Sequence, residues 1–135
     1  MRGLFKVLAI SLALSGSALA EPFKEMTVGI PVTSIGEAET WYVKFLGADT
    51  EIIKPFPGVI ELKAAPNVWL QLYEAEGEAT SGAVIRFLVE DMAQAQAARA
   101  EVGINTGEAI VVPDVVTYSE FVDPFGNALG FYALP

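Results

Sequence analysis

The sequence predicts an α+β chain in which one strand, helix, strand, strand, strand unit is used twice. Two amphipathic helix stripes close on glycines, Gly47 and Gly103, that lie 56 residues apart. An apolar, β-branched run precedes each stripe, at residues 27–32 and 84–89, and three short strand-like runs follow each one.

The first helix is read from Ser34. Ala38, Trp41, Tyr42, Phe45 and Leu46 recur at helical spacing and make one apolar face. Ser34 with Glu37 fits a capping box, and Gly47 is placed for a left-handed stop. Strands are expected next at residues 50–53, 59–63 and 68–73, punctuated by Phe56-Pro57-Gly58 and Ala65-Pro66-Asn67. The acidic, small-residue stretch 74–82 is the expected hinge between modules at about 25–76 and 82–133. The second helix is read from Asp91, with Gln94 three positions on, through Ala95, Ala98 and Val102 to Gly103. Its strands are expected at residues 108–112, 115–121 and 128–132.

A length of 135 residues suits one domain with a real core. Seventeen acidic against eight basic residues give a formal charge of −9, which argues against a phosphate-tracking surface, so nucleic acid is not an expected partner. With no His and no Cys the chain builds no imidazole or thiolate nucleophile, no zinc finger and no disulfide. Any metal would need carboxylate, amide or hydroxyl oxygens.

The N-terminus reads as a secretory leader. A short basic start carrying Arg2 and Lys6 precedes the apolar run 7–14, and Ala18-Leu19-Ala20 offers a signal-peptidase site. The run falls short of the ~20 apolar residues that a bilayer span needs. Cleavage after Ala20 is expected, leaving residues 21–135 with six basic and seventeen acidic residues. That product is expected to be secreted or periplasmic, with no membrane partner in its mature form.

Strand alternation assigns two faces. Val68, Leu70 and Leu72 suit packing under a helix, whereas Trp69, Gln71 and Tyr73 make an amphipathic aromatic face. Ile85, Phe87 and Val89 oppose Val84, Arg86 and Leu88; Leu129 and Phe131 oppose Ala128, Gly130 and Tyr132. Aromatic rings with one polar handle favour half-wet surfaces, so the second face reads as a ligand surface.

The run Phe121-Val122-Asp123-Pro124-Phe125-Gly126-Asn127-Ala128-Leu129, with Trp41-Tyr42 and Leu46-Gly47 in the first helix, resembles the vicinal oxygen chelate superfamily of glyoxalase I, bleomycin resistance proteins and extradiol dioxygenases. The resemblance spans residues 25–133. It implies two βαβββ modules whose curved mixed sheets surround a cavity, with the helices outside. The modules of such proteins pair within one chain or exchange between the chains of a homodimer. Family enzymes carry metal ligands on the cavity side of the first and last strand of each module, which the resemblance places at Thr27, Gln71, Val84 and Gly130. Of these only Gln71 is a ligand of any strength, and a lone amide holds no divalent ion usefully. No metal and no other cofactor is therefore expected.

The candidate ligand-binding residues are Trp69, Gln71, Tyr73, Arg86, Tyr118, Glu120 and Tyr132. Each has a structural alternative. Arg86 either clamps a ligand carboxylate or phosphate or pairs internally with Glu61 or Glu120, since an unpaired buried guanidinium is costly. Gln71 either orients a ligand or bonds a neighbouring strand, and the aromatic residues either stack on a planar ligand or fill core. Glu61 and Glu120 would serve as bases only if desolvated. Thr117 and Ser119 have no His or obvious Lys partner and are not read as nucleophiles. Trp41, Tyr42 and Phe45 are assigned to core, and Glu74, Glu76 and Glu78 to a solvated hinge. Two functions from different classes follow. One is a metal-free binding protein for a small planar or anionic molecule; the other is a lyase or dioxygenase using oxygen ligands such as Gln71, Glu61 and Glu120.

Overall fold

The computed structural model describes residues 23–77 and 82–135; the leader and part of the hinge lie outside the described residues. The first module runs β1 Met26–Val32, α1 Ile35–Leu46, β2 Ile52–Phe56, β3 Val59–Ala65 and β4 Val68–Glu74. The second runs β5 Ile85–Leu88, α2 Met92–Glu101, β6 Ile110–Val112, β7 Val116–Val122 and β8 Ala128–Ala133. The sheets are ordered β1-β4-β3-β2 and β5-β8-β7-β6. In each the first strand lies parallel to the last and the other pairs are antiparallel, so both sheets are mixed and the βαβββ unit is used twice.

Local chemistry explains the helix ends. Ser34 Oγ accepts from the Glu37 amide at 3.3 Å and Asp91 Oδ1 from the Gln94 amide at 2.9 Å, which satisfies one orphan donor in each first turn. Gly47 stops α1 with its N–H on Val43 O, but at φ 121°, ψ 152° rather than in the left-handed helical region. The second helix ends at Glu101, one turn-closing residue before Gly103, whose φ of 81° takes the chain out.

Two strands differ from expectation. The second continues through Pro55 to Phe56, because β2 is an edge strand where a missing N–H breaks no ladder, and its register shifts beside that proline. The sixth begins only at Ile110, because the preceding loop is pinned elsewhere: Gln96 Nε2 donates to Gly107 O at 3.0 Å, and Gly107, at φ 76°, packs on the Glu120 carbonyl with no room for a Cβ.

One core joins both modules. Leu62, Leu70 and Leu72 under α1 are fully buried, as are Leu129 and Phe131 of the second sheet. Phe45 of α1 crosses between them, stacking on Phe131 at 5.7 Å and meeting Phe87 and Phe121 edge-on or tilted. A polar clamp reinforces the join. The buried Tyr42 hydroxyl donates to Asp123 Oδ2 at 2.7 Å, Asp123 Oδ1 accepts from the amides of Phe125 and Asn127, and Asn127 Nδ2 donates to both Asp123 and Pro31 O of β1. The Asp-Pro-Phe-Gly-Asn turn thus ties β8 to α1 and β1. Trp41, assigned to core, is only half-buried, stacked on Phe45 at 5.2 Å. No helix among the described residues is long and apolar enough to cross a membrane.

Candidate functional site

Both helices cover the sheet faces that carry Leu70, Leu72, Leu129 and Phe131. Side chains alternate along a strand, so the opposite faces are free of helices and hold every candidate ligand-binding residue. The structure divides those residues into two groups.

On the first sheet, Glu61 lies directly across from Gln71, and Gln71 Nε2 donates to Glu61 Oε2 at 3.1 Å. Gln71 therefore takes its structural alternative, bonding the neighbouring strand. Trp69 is buried, with its indole N–H on Glu25 Oε2 at 3.2 Å and Lys63 Nζ 5.6 Å from its ring centroid. Tyr73 lies over β1 where Gly29 has no side chain, its ring 3.4 Å from the position a Cβ would take.

On the second sheet Arg86, Gly130 and Glu120 stand side by side on β5, β8 and β7. Because Gly130 carries no side chain, the Arg86 stem crosses above it, its Cγ 3.3 Å from where a Cβ would sit. The guanidinium then reaches Glu120, with Nη2 2.8 Å from Oε1. Of the two carboxylates the sequence offered Arg86, Glu120 is the partner. The Arg86 side chain is also 43% exposed, so it is both paired and open to water, and the pair costs little desolvation. Tyr118 and Tyr132 face each other directly across β7 and β8. With Arg86, Glu120 and Val116 they line a recess of about 380 Å³, within the size range of small-molecule sites.

The seven candidates thus do not line a single recess. Arg86, Tyr118, Glu120 and Tyr132 come together; Trp69, Gln71 and Tyr73 do not join them there. A larger recess, about 540 Å³, lies on the helix side beside Trp41 and Pro124, lined also by Glu37, Lys44 and Ile104, and holds none of the seven candidates.

The donor set does not fit a metal. Thr27 and Val84 are exposed, Gln71 is engaged by Glu61, and the space over Gly130 is filled by the Arg86 stem, which brings a cation where a ligand for a cation would be needed. Gln71 and Glu61 meet, but Glu120 is held by Arg86. No group of three His, Cys, Asp or Glu residues among the described residues is placed to hold an ion. Thr117 and Ser119 project to the helix side, where Ser119 is fully buried with no hydrogen-bond partner for its hydroxyl among the described residues, so neither reaches the recess.

Electrostatic perturbation falls on one core group and one half-buried group beside the core. Burial, then the charge of Asp123 and its hydrogen bond, push the Tyr42 hydroxyl far above the ordinary tyrosine range. Burial lowers the Arg99 guanidinium from its ordinary value. Sequence reasoning assigned Tyr42 to packing alone and did not single out Arg99. The Asp-Pro-x-Gly-Asn turn was the available signal for a partner to Tyr42.

No family model matches the sequence, and no curated protein does. Solved structures do. A glyoxalase/bleomycin resistance protein from Catenulispora acidiphila superposes with a TM-score of 0.69 at 22% identity, over 84% of this chain and 100% of that one. Lactoylglutathione lyase from Agrobacterium tumefaciens gives 0.65 at 17%, over 83% and 94%. TioX from Micromonospora sp. ML1 gives 0.66 at 14%, over 84% and 100%. The chain has the glyoxalase/bleomycin resistance fold. At these identities the likeness establishes fold and not activity.

Proposed function

We propose that this chain is an exported, metal-free binding protein that takes a small planar or anionic molecule into the recess between Tyr118, Tyr132 and Arg86. The observation that carries the reading is Arg86 crossing Gly130. A guanidinium on that face repels a divalent ion and offers N–H donors to a carboxylate, phosphate or carbonyl edge. Glu120 holds it only through an exposed pair, and a ligand oxygen can take over at little cost. The two tyrosine rings supply flat apolar area with hydroxyl groups at the edge, each ring contact adding roughly 0.5–1.5 kcal/mol beyond area burial. Export rests on the leader pattern of residues 1–20.

The test is an amide-resolved NMR titration with a panel of planar aromatic carboxylates and their neutral esters. Binders are expected to shift residues 116–120 and 130–132, and Arg86→Gln is expected to remove the preference for the acids. An entire panel without shifts at millimolar concentration contradicts the reading.

A further inference from the structure

A second recess, of about 390 Å³, lies on the helix side between the C-terminal ends of α1 and α2, away from the sheet face just described. Its walls are largely apolar, from Leu46, Ala48, Ala98 and Val102, and two cations line it, Lys44 and Arg99. In so acidic a chain those cations are unusual. Of the six Lys and Arg among the described residues, Lys54, Lys63 and Arg86 have carboxylate partners. Lys24, Lys44 and Arg99 have none among the described residues, and of these Lys44 and Arg99 share the recess, although Asp49 and Glu101 are near them in sequence.

Arg99 is half-buried and held in place without charge compensation. Its Nε donates to Phe45 O at 3.0 Å, its Nη1 to Ala95 O at 3.3 Å, and its Cζ stands 5.4 and 5.1 Å from the ring centroids of Phe45 and Phe131. Carbonyls and ring faces use part of the guanidinium but leave its charge unneutralised. Cations in a last helical turn also complement the helix dipole. That effect accounts for one cation at each helix end; it does not account for Arg99 turning onto the carbonyl of the other helix and sharing a recess with Lys44.

We propose that this inter-helix recess binds an amphipathic monocarboxylate of the free fatty acid kind, its carboxylate between Lys44 and Arg99 and its aliphatic tail along Leu46, Ala48, Ala98 and Val102. Two cations without carboxylate partners among the described residues, in a recess with largely apolar walls, match that ligand in charge and polarity, and the chain's net charge makes strongly polyanionic partners unfavourable there. This site is independent of the sheet-face reading and stands if that reading fails.

Octanoate and octanol, titrated separately into the protein and followed by amide NMR shifts, test it. Octanoate is expected to shift residues 43–48 and 98–102 and to bind about tenfold or more tightly than octanol, about the effect of one charge-assisted contact. Raising the salt is expected to weaken octanoate and not octanol. Because Arg99 also holds the helices together, the variant of choice is Lys44→Gln, expected to weaken octanoate about threefold or more and leave octanol unchanged. Equal binding of the acid and the alcohol, an unchanged octanoate affinity in Lys44→Gln, or octanoate shifts confined to residues 116–120 would each overturn the proposal.

Discussion

Replacing Tyr42 by Phe tests how the two modules are joined. The substitution keeps the ring in its packed position against Trp41 and Phe45 and deletes one buried hydroxyl donating to Asp123 at 2.7 Å. A hydrogen bond to a charged group contributes about 1.5–3 kcal/mol net. Asp123 Oδ2 keeps Asn127 as a donor, so the expected loss lies at the lower half of that range. For a domain of this size that corresponds to a fall of roughly 4–10 °C in Tm, read by circular dichroism or calorimetry at pH 7. The same variant has a pH signature. The Tyr42 hydroxyl ionises far above the ordinary tyrosine range in the folded chain, whereas in the unfolded chain it ionises near pH ~10. Its contribution is therefore complete below that pH and declines above it, because the unfolded chain gives up a proton that the folded one keeps. Wild-type stability is expected to drop by up to about 1.4 kcal/mol per pH unit above pH ~10 beyond any drop in Tyr42→Phe. A variant with wild-type Tm, or parallel alkaline profiles for the two proteins, would refute the clamp.

Three further outcomes are expected. Gly107→Ala combines a positive φ with a Cβ driven onto the Glu120 carbonyl, and should cost about 2 kcal/mol or more in a urea titration. Arg86→Gln removes only an exposed ion pair, and its urea midpoint should move by less than about 1 kcal/mol in free-energy terms, separating its ligand role from stability. Intact mass of the protein recovered from the periplasm or medium of a secreting host should correspond to residues 21–135; a full-length mass there contradicts the leader.

Much of this architecture is local and was legible in the chain. The stripe from Ala38 to Leu46, the Ser34 and Asp91 caps and the strand alternation each depend on neighbours within one or two turns, so pattern alone recovers them. Pro55 in β2 was not legible, because whether a missing N–H matters depends on the strand being at an edge. The site divides in the same way. Alternation placed Trp69, Gln71, Tyr73, Arg86, Tyr118, Glu120 and Tyr132 on helix-free faces, but which of them meet is set by register across strands distant in sequence. The passage of Arg86 over Gly130 to Glu120 joins three strands and leaves no local signature. Arg99 was missed because its partners are two backbone carbonyls and two rings, none of which a charge pattern reveals.

The helix-free sheet face is expected to receive its ligand without help from an ion. Protein expressed in metal-replete medium and purified without chelator should be analysed for transition metals, and its affinity for the best aromatic acid measured before and after dialysis against EDTA. Less than about a tenth of an equivalent of metal per chain, with unchanged affinity, is the expected result for a donor set this poor. Stoichiometric metal whose removal abolishes binding would contradict it.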